Sequence, residues 1–279
     1  MKLTIGISPC PNDTFIFDAM LHNKVDTEGL SFEYRLEDVE TLNQMAMRGV
    51  LDISKVSYGG ASKMLLHYRI LNAGGALGNG VGPLFITKKD QSLDTLNPEI
   101  DTVALPGVFT TAHVLFSFAY PNWKNKIHMP FHEIEDAVIN NKVQAGVIIH
   151  ENRFTYQERG LEKIADLGEV WQRETQLPIP LGGIMARRTF NINLLKKIDR
   201  IISRSIEYAW KHEHELPSFV LENAQEMSPD IMKQHIHLYV NAFSLQLGKE
   251  GRAAIWKLLE TAAQVHPEPF GWNYEMFVD

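Results

Sequence analysis

A single cysteine in 279 residues excludes an intrachain disulfide framework and any metal centre built from several thiolates, and it agrees with a reducing compartment. No apolar stretch is long enough to span a bilayer. The first ten residues, MKLTIGISPC, lack the apolar core of a secretory signal, so a cytoplasmic protein without a membrane partner is expected. Positive charge is in deficit, with 27 Lys and Arg against 34 Asp and Glu and a formal net charge of −7. That balance offers no broad basic surface for a polyphosphate backbone and argues against nucleic acid as a partner. Internal repeats and low-complexity tracts are also missing. What remains is 44% hydrophobic and 22% charged, long enough for one large or two modest domains, and suited to small-molecule chemistry.

Strand, turn, helix is the recurring local pattern. Residues 3–7 read as a short apolar strand, followed by Pro9 and Pro11 in an extended turn and an apolar helix over 15–21. Ser8, Asn12 and Asp13 fall in that turn, and Asn12, Asp13 or Thr14 is placed to cap the helix, whose positive dipole end then faces the crevice. A second unit runs through a strand at 31–36, a helix at 39–47 and a strand at 51–56 that ends in Lys55, Val56 and Ser57 before the helix 58–66. A third has a strand at 101–105, a turn at Pro106-Gly107, and a helix 112–120 entered through Thr110 and Thr111. Two adjacent hydroxyls at a helix start suit a carboxylate or a polyol, and ordinary N-capping uses them equally well.

Residues 145–156, AGVIIHENRFTY, carry the most chemistry. A short apolar strand here delivers His150 at its exit, the place where open α/β sheets hold ligands. An imidazole there is a natural general base, because its unperturbed pKa lies close to neutrality. Arg153, just beyond, is placed to hold a substrate carboxylate. Glu151 points to the opposite side if the strand continues, so it is not assigned as the orienting acid, and no carboxylate partner for His150 is identified. Cys10, between two prolines, reads as a packing or turn residue, since no activating histidine is visible beside it in sequence. The pairs His212/His214 and His235/His237 are two apart on expected helices, which puts their rings on different faces, unlike helical metal ligands. They read as structural or solvated, as do the charge pairs Arg187-Arg188 and Lys196-Lys197, and no metal site is assigned.

The glycine-dense stretch 73–82 lies between strands and not between a strand and a helix, which rejects dinucleotide and P-loop readings in favour of a loop or hinge. A second glycine-bearing passage spans 177–183, and a strand follows at 184–186. The two passages bracket a middle block, giving an inserted α/β domain at 89–183 and a larger discontinuous one from 1–88 plus 184–279. Such a pair can close as a hinge over a ligand. The carboxyl third reads as helices at 193–211, 218–224, 230–239 and 249–265.

Taken together, 8–17 (SPCPNDTFIF), 38–43 (DVETLN), 73–78 (AGGALG), 80–83 (GVGP), 148–156 (IIHENRFTY), 177–182 (LPIPLG) and 239–244 (YVNAFS) resemble the 1,4-dihydroxy-6-naphthoate synthase family, in order and over nearly the whole chain. The resemblance implies a two-domain α/β fold like type II periplasmic binding proteins, with a ligand cleft between the domains. It implies a carbon–carbon lyase of the futalosine route to menaquinone, acting on cyclic dehypoxanthinyl futalosine to give 1,4-dihydroxy-6-naphthoate and dihydroxyacetone without a cofactor. By the same likeness His150 is the proton acceptor, and Lys55, Val56, Ser57, Thr110 and Thr111 contact the substrate. The alternatives are a chorismate dehydratase of the same pathway and a non-catalytic solute-binding protein. A homodimer stays open, since it needs an exposed apolar patch that sequence does not place.

Overall fold

In a computed structural model, which describes residues 1–150, 152–224, 228–266 and 275–279, short apolar runs alternate with helices to build two sheets. The chain begins β1 (Lys2–Ile7), α1 (Pro11–Leu21), β2 (Ser31–Leu36), α2 (Val39–Met47), β3 (Ile53–Ser57), α3 (Tyr58–Met64), β4 (Tyr68–Ile70) and β5 (Ala76–Gly78). The middle block holds β6 (Leu84–Lys88), β7 (Thr102–Leu105), α4 (Thr111–Ala119), β8 (Asn125–His128), α5 (Ile134–Ile139), β9 (Ala145–Ile148), α6 (Asn152–Thr155), β10 (Leu161–Asp166) and α7 (Leu167–Thr175). It ends with β11 (Ile179–Arg187), α8 (Ile192–Lys211), α9 (Ser218–Asn223), α10 (Pro229–Tyr239), α11 (Ala242–Leu245) and α12 (Gly248–Val265).

The first sheet has the order β2-β1-β3-β11-β4, with β5 also paired to β11, and the second the order β10-β6-β9-β7-β8. Parallel pairs, β1 with β2 and β3, and β7 with β8 and β9, form where a helix makes the crossover. The strands that follow a change of sheet, β6 and β11, pair antiparallel with their neighbours. The chain changes sheet close to the two glycine-bearing passages. β6 pairs along most of its length with β9 and β10, so the chain enters the second sheet before Leu84 and not after residue 88. It returns by Ile179 and not at 184, because the glycine passage is strand. Gly182 and Gly183 pair with Ser57 and Val56. A Cβ at Gly183 would lie 2.0 Å from the Tyr58 hydroxyl, so glycine serves there for close approach and not for a bend.

Apolar periodicity decides where the cores sit. In α8 the residues Leu195, Ile198, Ile202 and Ile206 bury one stripe against β1 and α1, joining Ile5, Ile7 and Phe15. The second sheet packs Ile86, Ala104 and Ile148 on Ile134 and Val138 of α5. A third cluster, including Val56, Tyr58, Phe85, Phe116, Trp171 and Leu258, joins the two sheets and takes in α12. Fully burying a side chain of this size stabilises by about 1.5–3 kcal/mol. Arg187 and Arg188, expected on a solvated face, instead donate to backbone carbonyls, among them those of Gly49, Leu51 and Leu65. Among the described residues no helix is long and apolar enough to cross a membrane.

Candidate active site in the cleft between the sheets

The polar ends of several strands meet in one cavity of about 100 Å³. Its walls combine Ser8 and Asn12 from the β1–α1 turn, Lys55, Val56 and Ser57 from the end of β3, and Leu181 and Gly182 from β11. The second sheet adds Thr110, Thr111 and Ala112 at the start of α4, and His150 and Arg153 beyond β9, while α10 supplies His235 and Tyr239. Pockets for small ligands usually span about 300–1,000 Å³, so this cavity is small for a ligand of that size.

The wall from the first sheet is organised by a buried ion pair. The α1 helix starts one turn earlier than expected, with Cys10 as N-cap and Pro11, whose fixed φ suits the position, at its first residue. Asn12, Asp13 and Thr14 therefore lie inside the first turn and do not cap it. Asp13, completely buried, does not line the cavity; it sits behind Ser8, Asn12 and Lys55 and holds all three. Its Oδ2 accepts from the Ser8 hydroxyl at 2.8 Å and the Ser8 amide at 3.2 Å, and its Oδ1 accepts from Asn12 Nδ2 at 2.8 Å and from the Lys55 ammonium. Both carboxylate oxygens are thus doubly satisfied, the condition under which a buried charge is tolerated.

His150 stands on the opposite wall. β9 ends at Ile148, and two residues later His150 takes a left-handed backbone, φ +59°, which for a residue with a side chain costs about 1–3 kcal/mol. Strain of that kind is retained where it aims a side chain. The ring Nδ1 lies 3.3 Å from Cys10 Sγ, and the ring packs edge-on against Phe131 with centroids 5.0 Å apart. Burial pushes its pKa down to about 4; the Asp13 carboxylate pulls upward and the Lys55 ammonium downward, neither enough to change the result. The imidazole is neutral at pH 7. A second cavity reaches Ser8 and Cys10 on one side and His150 on the other, and is rimmed by Asp38, Phe131 and His132. Glu151, considered and set aside as an orienting acid, lies outside the described residues.

Of the other expected ligands, Thr110 caps α4, its hydroxyl accepting from the His113 amide at 3.3 Å and donating to the Gly107 carbonyl at 2.9 Å. Thr111 Oγ1 accepts from the Gly59 amide at 3.0 Å and donates to the Leu181 carbonyl at 2.6 Å, tying α3, α4 and β11 together. A Cβ at Gly59 would meet the Thr110 carbonyl at 2.8 Å, so the two helix starts approach as closely as glycine allows. Ser57 makes no side-chain cap for α3, which leaves its hydroxyl to the cavity. Arg153 lines the cavity but is already engaged, with Gly82 O at 2.7 Å and the Asp166 carboxylate at 3.1 Å. Among the described residues no group of three or more His, Cys, Asp or Glu is arranged to hold a metal ion.

Cys10 and His235 take places at the site that sequence does not assign them. Cys10, expected to serve the turn alone, touches the His150 ring. His235, expected to be structural or solvated, is 1% exposed and lines the cavity, with Nε2 2.9 Å from Asn12 Oδ1. A signal was available: Met232, His235, Ile236 and Tyr239 recur at helical spacing and form the buried face of α10.

Two sheets enclosing a cleft, with the polar groups gathered at strand exits, define the periplasmic-binding-protein fold. A Candida albicans protein described as having the generic form of that fold matches with a TM-score of 0.71 at 13% identity, over 96% of this chain and 92% of that one. The model of a family described as menaquinone biosynthesis matches residues 3–264. The chain is 42% identical over 261 residues to a 1,4-dihydroxy-6-naphtoate synthase of Thermus thermophilus, covering 93% of both. It is 44% identical over 266 residues to one of Streptomyces coelicolor, covering 94% of this chain and 93% of the relative. The chain belongs to the menaquinone biosynthesis family of enzymes.

Proposed function

We propose that this enzyme is the lyase that cleaves cyclic dehypoxanthinyl futalosine to 1,4-dihydroxy-6-naphthoate and dihydroxyacetone, with His150 as general base. The observation that carries the reading is a neutral imidazole, held by a strained backbone at the cavity wall, near an aspartate and a lysine, Asp13 and Lys55, that compensate one another. With the ring proton on Nδ1, directed at Cys10 Sγ, Nε2 presents its lone pair to the ligand. It takes a proton from the bicyclic substrate, the sugar-derived ring opens, and elimination with carbon–carbon cleavage leaves an aromatic diol. A placed base of this kind contributes about a hundred- to ten-thousandfold. Separation of the two sheets admits the substrate, and closure expels water around it.

The substrate is a carboxylate, and the α4 N-terminus is the best place for it. Lys55 and Arg153 are each paired with an aspartate, whereas the amides of Thr111 and Ala112, in the first turn of a nine-residue helix, have no partner within it. The test is anaerobic incubation of the purified protein, without added metal or cofactor, followed by mass-resolved detection of the naphthoate. His150→Asn serves as control because asparagine tolerates the left-handed backbone. Product from wild type alone is expected. Turnover by both would remove the base assignment, and none from the folded wild type would favour a chorismate dehydratase or a solute-binding protein.

A further inference from the structure

The ion pair behind the cavity dictates, through one amide, the protonation of a ring on the far helix. Asp13 is ionised against Lys55 and its oxygens can only accept, so the Asn12 amide must turn its NH₂ toward Asp13, as the 2.8 Å contact from Nδ2 requires. That leaves Asn12 Oδ1 facing His235 Nε2 at 2.9 Å. A carbonyl oxygen accepts, so Nε2 carries a proton. Burial pushes the His235 pKa well below its ordinary value, helped by the positive charges of Lys55 and Arg153, and a neutral ring has only one N–H. Nδ1 is therefore a bare lone pair. It is buried and finds no hydrogen-bond donor among the described residues, in a residue that lines the cavity.

We propose that His235 is a substrate-binding residue whose Nδ1 accepts a hydrogen bond from a hydroxyl of the bound ligand, selecting for a hydroxylated, sugar-derived portion. The proposal rests on the lyase reading for the identity of that ligand. Its physical basis is that a buried acceptor left without a donor is unfavourable, and a ligand hydroxyl relieves it. His235 belongs to neither sheet, so it fixes the ligand relative to the carboxyl-terminal helices while His150 approaches from the second sheet.

Two substitutions separate this role from a structural one. In His235→Gln the side-chain amide can still donate to Asn12 from the Nε2 position but offers no acceptor at Nδ1. In His235→Asn an oxygen can occupy the Nδ1 position while the donor to Asn12 is lost. The expected result with cyclic dehypoxanthinyl futalosine is a KM raised about tenfold in His235→Gln, with kcat and melting temperature close to wild type. His235→Asn should keep KM within about threefold but melt earlier. A spectroscopic readout accompanies this: the His235 ring ¹⁵N resonance, identified by its loss in His235→Gln, should move from a bare toward a hydrogen-bonded nitrogen when substrate saturates the His150→Asn protein. Wild-type KM in His235→Gln, the reverse pattern between the two variants, or an unmoved resonance overturns the proposal while leaving the lyase reading intact. No product from folded wild type overturns the lyase reading, and with it the ligand named here.

Discussion

The two walls of the cleft use opposite devices to present polar groups. On the first sheet, Asp13, Lys55, Ser8 and Asn12 form a charge network in which every oxygen of the carboxylate is engaged. On the second, His150 is neutral, backbone-strained and touched by a soft sulfur, while α4 offers a helix terminus in place of a side-chain charge. One wall is a scaffold whose groups hold one another; the other keeps its capacity for the ligand. With His150 as the proposed base, the second wall is assigned the chemistry and the first the geometry, and perturbing each should give a different phenotype.

The largest effect expected is on the scaffold. Lys55→Met leaves the Asp13 charge buried without its counter-charge, which should cost about 3–5 kcal/mol of stability in urea unfolding. Adding Asp13→Asn removes the orphaned charge and should recover a large part of that loss. If the single variant unfolds like wild type, the network is not holding the wall and the contrast fails.

Acid separates the walls next. His113 and His150 titrate near 4 and His235 well below its ordinary value, each chiefly because burial opposes the charged ring. Between pH 6.5 and 4 the unfolded chain binds protons that the folded one does not, so stability is complete above pH 6.5 and is lost as pH falls through that window, by of order 1 kcal/mol per pH unit for each group. The catalytic consequence has its own readout. The acid limb of kcat/KM, which reports the free enzyme, should fall near pH 4 where an ordinary histidine would place it near 6.5. A limb near 6.5 would mean that His150 is solvated in the working enzyme.

What the sequence disclosed about these walls follows from the range over which each signal acts. His150 at a strand exit, Lys55–Ser57 closing β3 and Thr110-Thr111 opening α4 are local patterns, written within one strand–turn–helix unit. The apolar stripe of α8 is local too, and it packs as its spacing requires. The contacts that assign roles are not local. Cys10 and His150 are 140 residues apart and Asn12 and His235 223 apart, so no window of sequence contains either pair. Where the chain changes sheet, before Leu84 and by Ile179, is hidden for a related reason: glycine encodes bends and close approach with the same letter, and only the Tyr58 hydroxyl over Gly183 tells which is meant.

The adjacent threonines at α4 sharpen the comparison at the smallest scale, because the same side chain serves one wall in one residue and joins both in the next. Thr110→Ala removes an N-cap and should cost about 1 kcal/mol, as a local loss within the second wall. Thr111→Val strips a hydroxyl that satisfies the Gly59 amide of α3 and the Leu181 carbonyl of β11, leaving both buried groups unpaired for about 1–3 kcal/mol. Because Leu181 belongs to the first sheet and Gly59 to the helix that follows β3, Thr111→Val should also loosen closure, raising substrate KM more than Thr110→Ala does, and hydrogen exchange should quicken at Gly59. Equal effects of the two substitutions on stability, KM and exchange would show that the Thr111 hydroxyl caps a helix and does not hold the walls together.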